Sequence, residues 1–202
     1  MKIKICGITD LRSAQAAAAA GVDCVGFVFA ESPRQLDPSE AAQIAACLPP
    51  EIERVAVLRQ ASLDDVLRLL ARFPADRIQT EPCPGMLDTL GRRYLPVLHD
   101  GPDVEGDADA LPENLPVLLE AAGRGGRGVR PDWNRARRLA SRRPVFLAGG
   151  LDPSNVGDAI RTIRPRGVDV SSGVESSPGV KSPDLITAFV DAVRACETEV
   201  VG

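Results

Sequence analysis

Residues 144–173 read PVFLAGGLDPSNVGDAIRTIRPRGVDVSSG. Two short apolar runs, 144–148 and 168–172, flank an amphipathic stretch that opens at Asp152-Pro153-Ser154-Asn155. An acid and a proline in front of such a stretch supply a cap and a preset first-turn φ for a helix. A strand, a helix and a second strand in close succession form the unit that builds a parallel sheet. The same alternation extends back to the start of the chain, with further runs at 2–6, 24–29, 54–59, 77–80, 94–99 and 116–120. Helix openings recur between them at Thr9-Asp10, Pro38-Ser39-Glu40 and Ser62-Leu63-Asp64-Asp65, while Gly21 and Pro74 stand where helices should stop. Eight units in 202 residues leave about 25 residues each, enough for a short strand, a short helix and two tight loops. The pattern predicts an α/β fold, one (β/α)8 barrel domain over residues 1–202, close to the ~200-residue lower limit of that architecture. The fifth unit departs from it. Residues 100–114 carry Gly101, Pro102, Gly106 and Pro112 among six acids and no apolar stripe, so its helix is expected to be weak or missing, a loop or a single turn.

Composition narrows the function classes. The formal net charge is −4, with 44% hydrophobic and 26% charged residues, the range of ordinary globular domains. No run approaches the ~18 apolar residues of a membrane span and no secretory leader is apparent, so a cytoplasmic protein without membrane contact is expected. Five cysteines, Cys6, Cys24, Cys47, Cys83 and Cys196, include no Cys-x-x-Cys pair, which argues against a disulfide framework or a thiolate zinc site. His99 is the only histidine, which removes the usual multi-histidine metal sites and leaves no metal expected. Arginines cluster in residues 124–143, but the acidity of the chain and its 3% aromatic content argue against a nucleic-acid surface.

In a parallel barrel the reactive groups sit where strands end. Gly149-Gly150 and Ser171-Ser172-Gly173 close the last two strands, where backbone N–H groups and a helix start commonly hold a phosphate. A third cluster, Gly123-Arg124-Gly125-Gly126-Arg127-Gly128, fits Gly-x-Gly-x-x-Gly. Pro131 delays the next helix and the following strand ends in glycines instead of a ribose-binding acid, so a loop over the barrel mouth is expected there, and no dinucleotide. Cys6 closes the first strand before Gly7, where a thiol of lowered pKa could act as nucleophile or base. Glu120 ends the run 116–120, where partial burial would raise its pKa toward that of a general acid. Arg34, after Pro33, could clamp a carboxylate bidentately. His99 is expected to be a loop or rim residue.

Several motifs together resemble phosphoribosylanthranilate isomerases. They are Lys4-Ile5-Cys6-Gly7-Ile8-Thr9, Gly26-Phe27-Val28-Phe29, Ser32-Pro33-Arg34, Asp132-Trp133, Leu147-Ala148-Gly149-Gly150-Leu151, Asn155-Val156, and Asp169 to Glu175 followed by Pro178-Gly179-Val180-Lys181. The resemblance runs through nearly the whole chain in order. It implies a barrel enzyme of tryptophan biosynthesis that carries out an Amadori rearrangement of N-(5-phosphoribosyl)anthranilate without a cofactor. By the same likeness Cys6 is the base, Glu120 the acid and Arg34 the holder of the anthranilate carboxylate. Gly149, Gly150, Ser172 and Gly173 then hold the phosphate. The expected partner is a small phosphosugar, bound by a monomer or homodimer. Three departures stand in the middle of the chain. Glu120 replaces the family's usual aspartate, Gln79-Thr80-Glu81-Pro82 replaces Gln-Leu-His-Gly and so lacks a site histidine, and Gly125-Gly126-Arg127-Gly128 replaces Gly-Gly-Thr-Gly. They keep two alternatives in play, a phosphosugar-binding relative with impaired catalysis and an isomerase or epimerase of another phosphosugar.

Overall fold

The computed structural model describes residues 1–122 and 130–201. Eight parallel strands close into a barrel in sequence order: β1 (Lys2–Cys6), β2 (Cys24–Val28), β3 (Glu53–Val57), β4 (Arg77–Thr80), β5 (Tyr94–His99), β6 (Val117–Glu120), β7 (Val145–Leu147) and β8 (Gly167–Val170). The ring closes through β1 and β8, where Lys4 pairs with Asp169 in register. Each strand is followed by a helix: α1 (Leu11–Ala19), α2 (Pro38–Ala46), α3 (Leu63–Leu70), α4 (Met86–Leu90), α5 (Val104–Asp109), α6 (Trp133–Ala140), α7 (Val156–Ile163) and α8 (Pro183–Val201). The glycine cluster at 123–128 lies outside the described residues.

The helix starts use the residues expected of them. Asp10 accepts from the Ser13 N–H at 2.8 Å, Asp37 forms a capping box with Glu40, and Ser62 forms one with Asp65. Each satisfies orphan N–H groups of a first turn. The fifth unit holds a six-residue helix, α5, with Val104 and Ala108 buried. These two side chains, four apart on one face, are enough to seat a short helix despite its acidity. The last unit differs more. β8 ends at Val170, and the chain turns through a 3-10 segment, Ser172–Val174, into a small hairpin of β9 (Glu175–Ser177) and β10 (Val180–Lys181). The buried Lys181 ammonium donates to the Ser171 carbonyl at 3.0 Å and so ties this hairpin to the residue that follows β8.

Two cores result. The larger lies between sheet and helices and holds Ile3, Ile5, Val25, Phe27, Phe189 and their neighbours. Inside the barrel, Leu95, Val97, Leu118, Phe146 and Ala148 form a smaller apolar cluster on the β5–β7 side. The β1–β8 side carries charge instead. Lys4 is buried and its Nζ lies 2.8 Å from Asp169 Oδ1. Glycines make room for this packing. A Cβ on Gly26 would stand 3.0 Å from both Cys6 Sγ and Lys4 Nζ, and one on Gly167 would stand 2.7 Å from the Phe146 ring and 2.9 Å from the Lys2 carbonyl. Gly167→Ala is therefore expected to destabilise the barrel by about 1–3 kcal/mol, the usual cost of overpacking. Urea denaturation with an unchanged midpoint would contradict this packing.

Candidate active site

Cys6 leaves β1 directly above Lys4, and both face into the barrel because residues two apart share a face of a strand. Cys6 is 7% exposed. Burial pushes its thiol above the ordinary value, the Lys4 ammonium pulls it down, and Asp169 adds to the rise. Burial also works against the Lys4 ammonium, but Asp169 and Cys6 outweigh it and hold the lysine charged. Position therefore gives Cys6 a cationic neighbour, while the lowered pKa expected of a rim thiol is not what burial produces.

Arg34 reaches the same site across Gly7. That glycine has φ +77°, and a Cβ there would come within 2.4 Å of Arg34 Cδ, so neither backbone nor space admits a side chain. Arg34 Nε and Nη2 donate to Glu175 at 2.7 and 2.8 Å. Lys181 Nζ donates to the same carboxylate at 2.7 Å. Burial raises the Glu175 carboxyl, but Arg34 and Lys181 overcome this and hold it below the usual carboxylate range. The bidentate partner of Arg34 is thus Glu175 of the terminal hairpin. Arg34 still lines the cavity.

Across the ring, Glu120 ends β6 with its side chain 18% exposed. Burial pushes its carboxyl up, His99 opposes this, and Asp169 and Glu81 add to the rise. A raised carboxyl is what proton donation near neutrality requires. His99, expected only at a loop or rim, ends β5 beside it. Its Nδ1 lies 3.4 Å from Glu120 Oε1 and its Nε2 3.5 Å from Glu81 Oε1. Strand four lacks a histidine, yet the next strand places an imidazole against the glutamate that follows β4.

The two glycine turns complete the rim. Gly149 and Gly150 have φ of +91° and +60°, a left-handed course that brings backbone rather than side chain to the cavity. Asn155 braces this turn, its Nδ2 donating to the Gly150 carbonyl at 3.0 Å and its Oδ1 accepting from the Asp152 N–H at 3.1 Å. Gly173 stands behind the wall. A Cβ there would come within 1.9 Å of the Leu151 carbonyl oxygen, so it is the contact that lets the two turns touch.

Cys6, Arg34, Glu120, Gly149, Gly150 and Ser172 all line one cavity at the strand ends. Of the residues expected at the site, only Gly173 is set back from its surface. Gln79 and Asp169 also line it, and the Gln79 side-chain oxygen is buried without a hydrogen-bond partner. Sequence reasoning passed over Lys4, Gln79 and the pairing of His99. The alternation Lys2-Ile3-Lys4-Ile5-Cys6 was the available signal for Lys4, since it places the second lysine on the face of the thiol. Among the described residues, no group of three or more His, Cys, Asp or Glu converges as metal ligands would, and no helix is long and apolar enough to cross a membrane.

Comparison with known proteins gives the family. The family described as N-(5'-phosphoribosyl)anthranilate (PRA) isomerase matches residues 3–192. A relative from Acidithiobacillus ferrooxidans, named N-(5'-phosphoribosyl)anthranilate isomerase, is 43% identical over 96% of this chain and 98% of its own. One from Pseudomonas aeruginosa with the same name is 41% identical over 96% of each chain. Among solved structures, a phosphoribosyl anthranilate isomerase from Thermus thermophilus superposes with a TM-score of 0.85 at 34% identity, covering 96% of this chain and 99% of that one. A phosphoribosyl anthranilate isomerase in complex with reduced 1-(o-carboxyphenylamino)-1-deoxyribulose 5-phosphate gives a TM-score of 0.84 at 31% identity, with the same coverage. The chain belongs to the N-(5'-phosphoribosyl)anthranilate isomerase family.

Proposed function

We infer that one barrel domain over residues 1–202 carries out the family's reaction through Cys6 and Glu120. The reaction is the Amadori rearrangement of N-(5'-phosphoribosyl)anthranilate to 1-(2-carboxyphenylamino)-1-deoxyribulose 5-phosphate, an aldose–ketose isomerisation in tryptophan biosynthesis. The observation that carries the assignment is that a thiol on β1 and a raised carboxyl on β6 face the same cavity. The phosphate rests on N–H groups of the Gly149-Gly150 and Ser172-Gly173 turns, near the start of α7. The guanidinium edge of Arg34 not taken by Glu175 meets the anthranilate carboxylate. The unpartnered Gln79 oxygen accepts from a sugar hydroxyl, which removes the cost of leaving it bare.

Protonated Glu120 gives its proton to the ring oxygen, the C1–O bond breaks, and the nitrogen lone pair forms the C1=N+ bond. Cys6 as thiolate then takes the C2 proton, and the C2–H electrons form the C1=C2 bond of a neutral enolamine. A proton on C1 and loss of the O2 proton give the ketone. These steps need no cofactor. Cys6→Ala and Glu120→Gln are each expected to lower kcat by about 10²–10⁴, the usual contribution of a positioned acid or base. Binding of the reduced product analogue should change by less than about five-fold, since neither group holds the phosphate or the carboxylate. Unchanged kcat in the fluorescence assay of substrate consumption would remove that residue from the mechanism.

Burial raises both groups, and this sets the pH dependence. The productive form pairs protonated Glu120 with ionised Cys6. Its population rises with pH until Glu120 titrates, stays level, and falls once Cys6 titrates. The acid limb thus belongs to Glu120 and the alkaline limb to Cys6. Replacing Lys4 by Met removes the largest force that favours the thiolate. Making Asp169→Asn in the same variant leaves no buried carboxylate unpaired. In that double variant the alkaline limb should move to higher pH, the acid limb to lower pH because Asp169 no longer raises Glu120, and the plateau should fall by about ten-fold for each unit by which the two limbs separate. A profile superposable on that of the wild type would show that Lys4 does not act on Cys6.

A further inference from the structure

Resting on the assignment of Glu120 as the acid, we propose that His99, held between Glu81 and Glu120, returns to Glu120 the proton given up in each turnover. It acts through Glu120 and is a positioning residue. The cavity wall does not include it, so its route to the substrate passes through the acid. His99 and Glu120 are register partners on adjacent strands, and the Asp100 N–H binds the Glu120 carbonyl at 2.7 Å, which fixes the two strand ends together. The His99 side chain is 37% exposed and that of Glu120 only 18%. The imidazole therefore spans from solvent to a carboxyl that solvent reaches poorly. Its Nδ1 is buried, makes no aligned hydrogen bond at rest, and stands 3.4 Å from Glu120 Oε1.

The far side of the ring is fixed by a built support. Glu81 Oε1 lies 3.5 Å from His99 Nε2, while its Oε2 accepts from the Gln60 N–H at 2.6 Å. Tyr94 Oη donates to the Glu81 carbonyl at 3.1 Å. Gln60 has φ +45°, a left-handed backbone uncommon for a non-glycine residue and one that turns its N–H toward the carboxylate. Burial raises Glu81, but His99 and the Gln60 N–H bring it down to about 2. It remains ionised, and with Glu120 it keeps His99 above its ordinary value against burial. The other charged groups acting on Glu120 are Asp169 of β8, which is paired with Lys4, and Arg59 beyond β3. Asp100, the residue after His99, is occupied by Arg135 at 2.7 Å.

The proton balance calls for such a group. After the enolamine forms, Glu120 is one proton short and Cys6 carries one more than at the start. The Cys6 proton goes to C1 and the O2 proton to solvent. The imidazolium Nδ1–H passes to the Glu120 carboxylate, leaving neutral imidazole with its Nε2–H toward Glu81, and solvent reprotonates Nδ1. Every atom returns to its initial state with no net uptake.

The test compares wild type, His99→Ala and Glu120→Gln in dilute buffer at about pH 8.5, where free protons are scarce. His99→Ala should lower steady-state kcat by about ten-fold or more with KM within about two-fold. The first turnover, measured with enzyme in excess, should keep the wild-type rate because it precedes any return of a proton to Glu120. Added imidazole should restore kcat to the variant in a saturable way and leave the wild type unchanged. His99 is the only histidine, so no other imidazole in the chain complicates that rescue. A wild-type kcat in His99→Ala overturns the relay, as does a first turnover slowed as much as the steady state with no rescue. The conservative His99→Gln, which retains side-chain bulk, should behave as His99→Ala does. Failure of the acid assignment has a different signature: Glu120→Gln would then turn over as wild type does.

Discussion

The site depends on an ion pair placed where charge is costly. Lys4 and Asp169 face each other inside the barrel, with side chains 1% and 8% exposed. A lone charge there would lose several kcal/mol of hydration, and the pair is tolerable only because its geometry is close and its neighbours fit. The fit is supplied by what is missing as much as by what is present. Gly26 leaves the volume into which Lys4 Nζ and Cys6 Sγ project. The register Lys4↔Asp169 is also the seam that closes β1 on β8. Closure of the ring, neutralisation of the buried lysine and the electrostatic setting of the thiol are thus one arrangement.

Burial acts on the two groups proposed to react, Cys6 and Glu120, in opposite senses functionally. It disfavours charge on both, so it keeps a proton on Glu120 and also on Cys6. The first effect helps an acid and the second hinders a base. The protein offsets the second locally, with the Lys4 ammonium below the thiol and Lys181 nearby. It offsets the first only in part, because His99 is a weaker counterweight than burial at Glu120. The same low-dielectric cavity therefore yields two different groups because their nearest charges differ.

Much of this was legible in the sequence, for identifiable reasons. Strands buried on both faces read as short apolar runs, and all eight strands end within two residues of the runs read from sequence without any need for tertiary information. Caps such as Asp10 and Ser62 act within three residues of themselves, so local sequence suffices. The pairs that escaped are long-range. Arg34 meets Glu175 across 141 positions and Lys4 meets Asp169 across 165, and neither partner carries a mark of the other. The hairpin after β8 escaped because its strands are only three and two residues long. His99 escaped because a lone histidine at a strand end signals nothing until Glu81 and Glu120 are seen on either side of it.

The charges around the rim also bear on why the substrate would sit one way only. Arg34, Lys4 and Lys181 are gathered on the side of β1, β8 and the terminal hairpin, with Glu175 and Asp169 offsetting two of these three cations. Glu81 and Glu120, with His99 between them, occupy the β4–β6 side. A molecule with a carboxylate at one end and a phosphate at the other has its anionic groups drawn to Arg34 and the glycine turns, and kept from the two glutamates. Reversing or rotating it would bring like charges together in a cavity of low dielectric, where their repulsion is strongest. The uncharged sugar between the anions is what can approach a carboxyl group at low cost. On the proposed mechanism the ring oxygen would then be presented to Glu120 as a consequence of where the anions cannot go, and an acid there would need no separate device to select it.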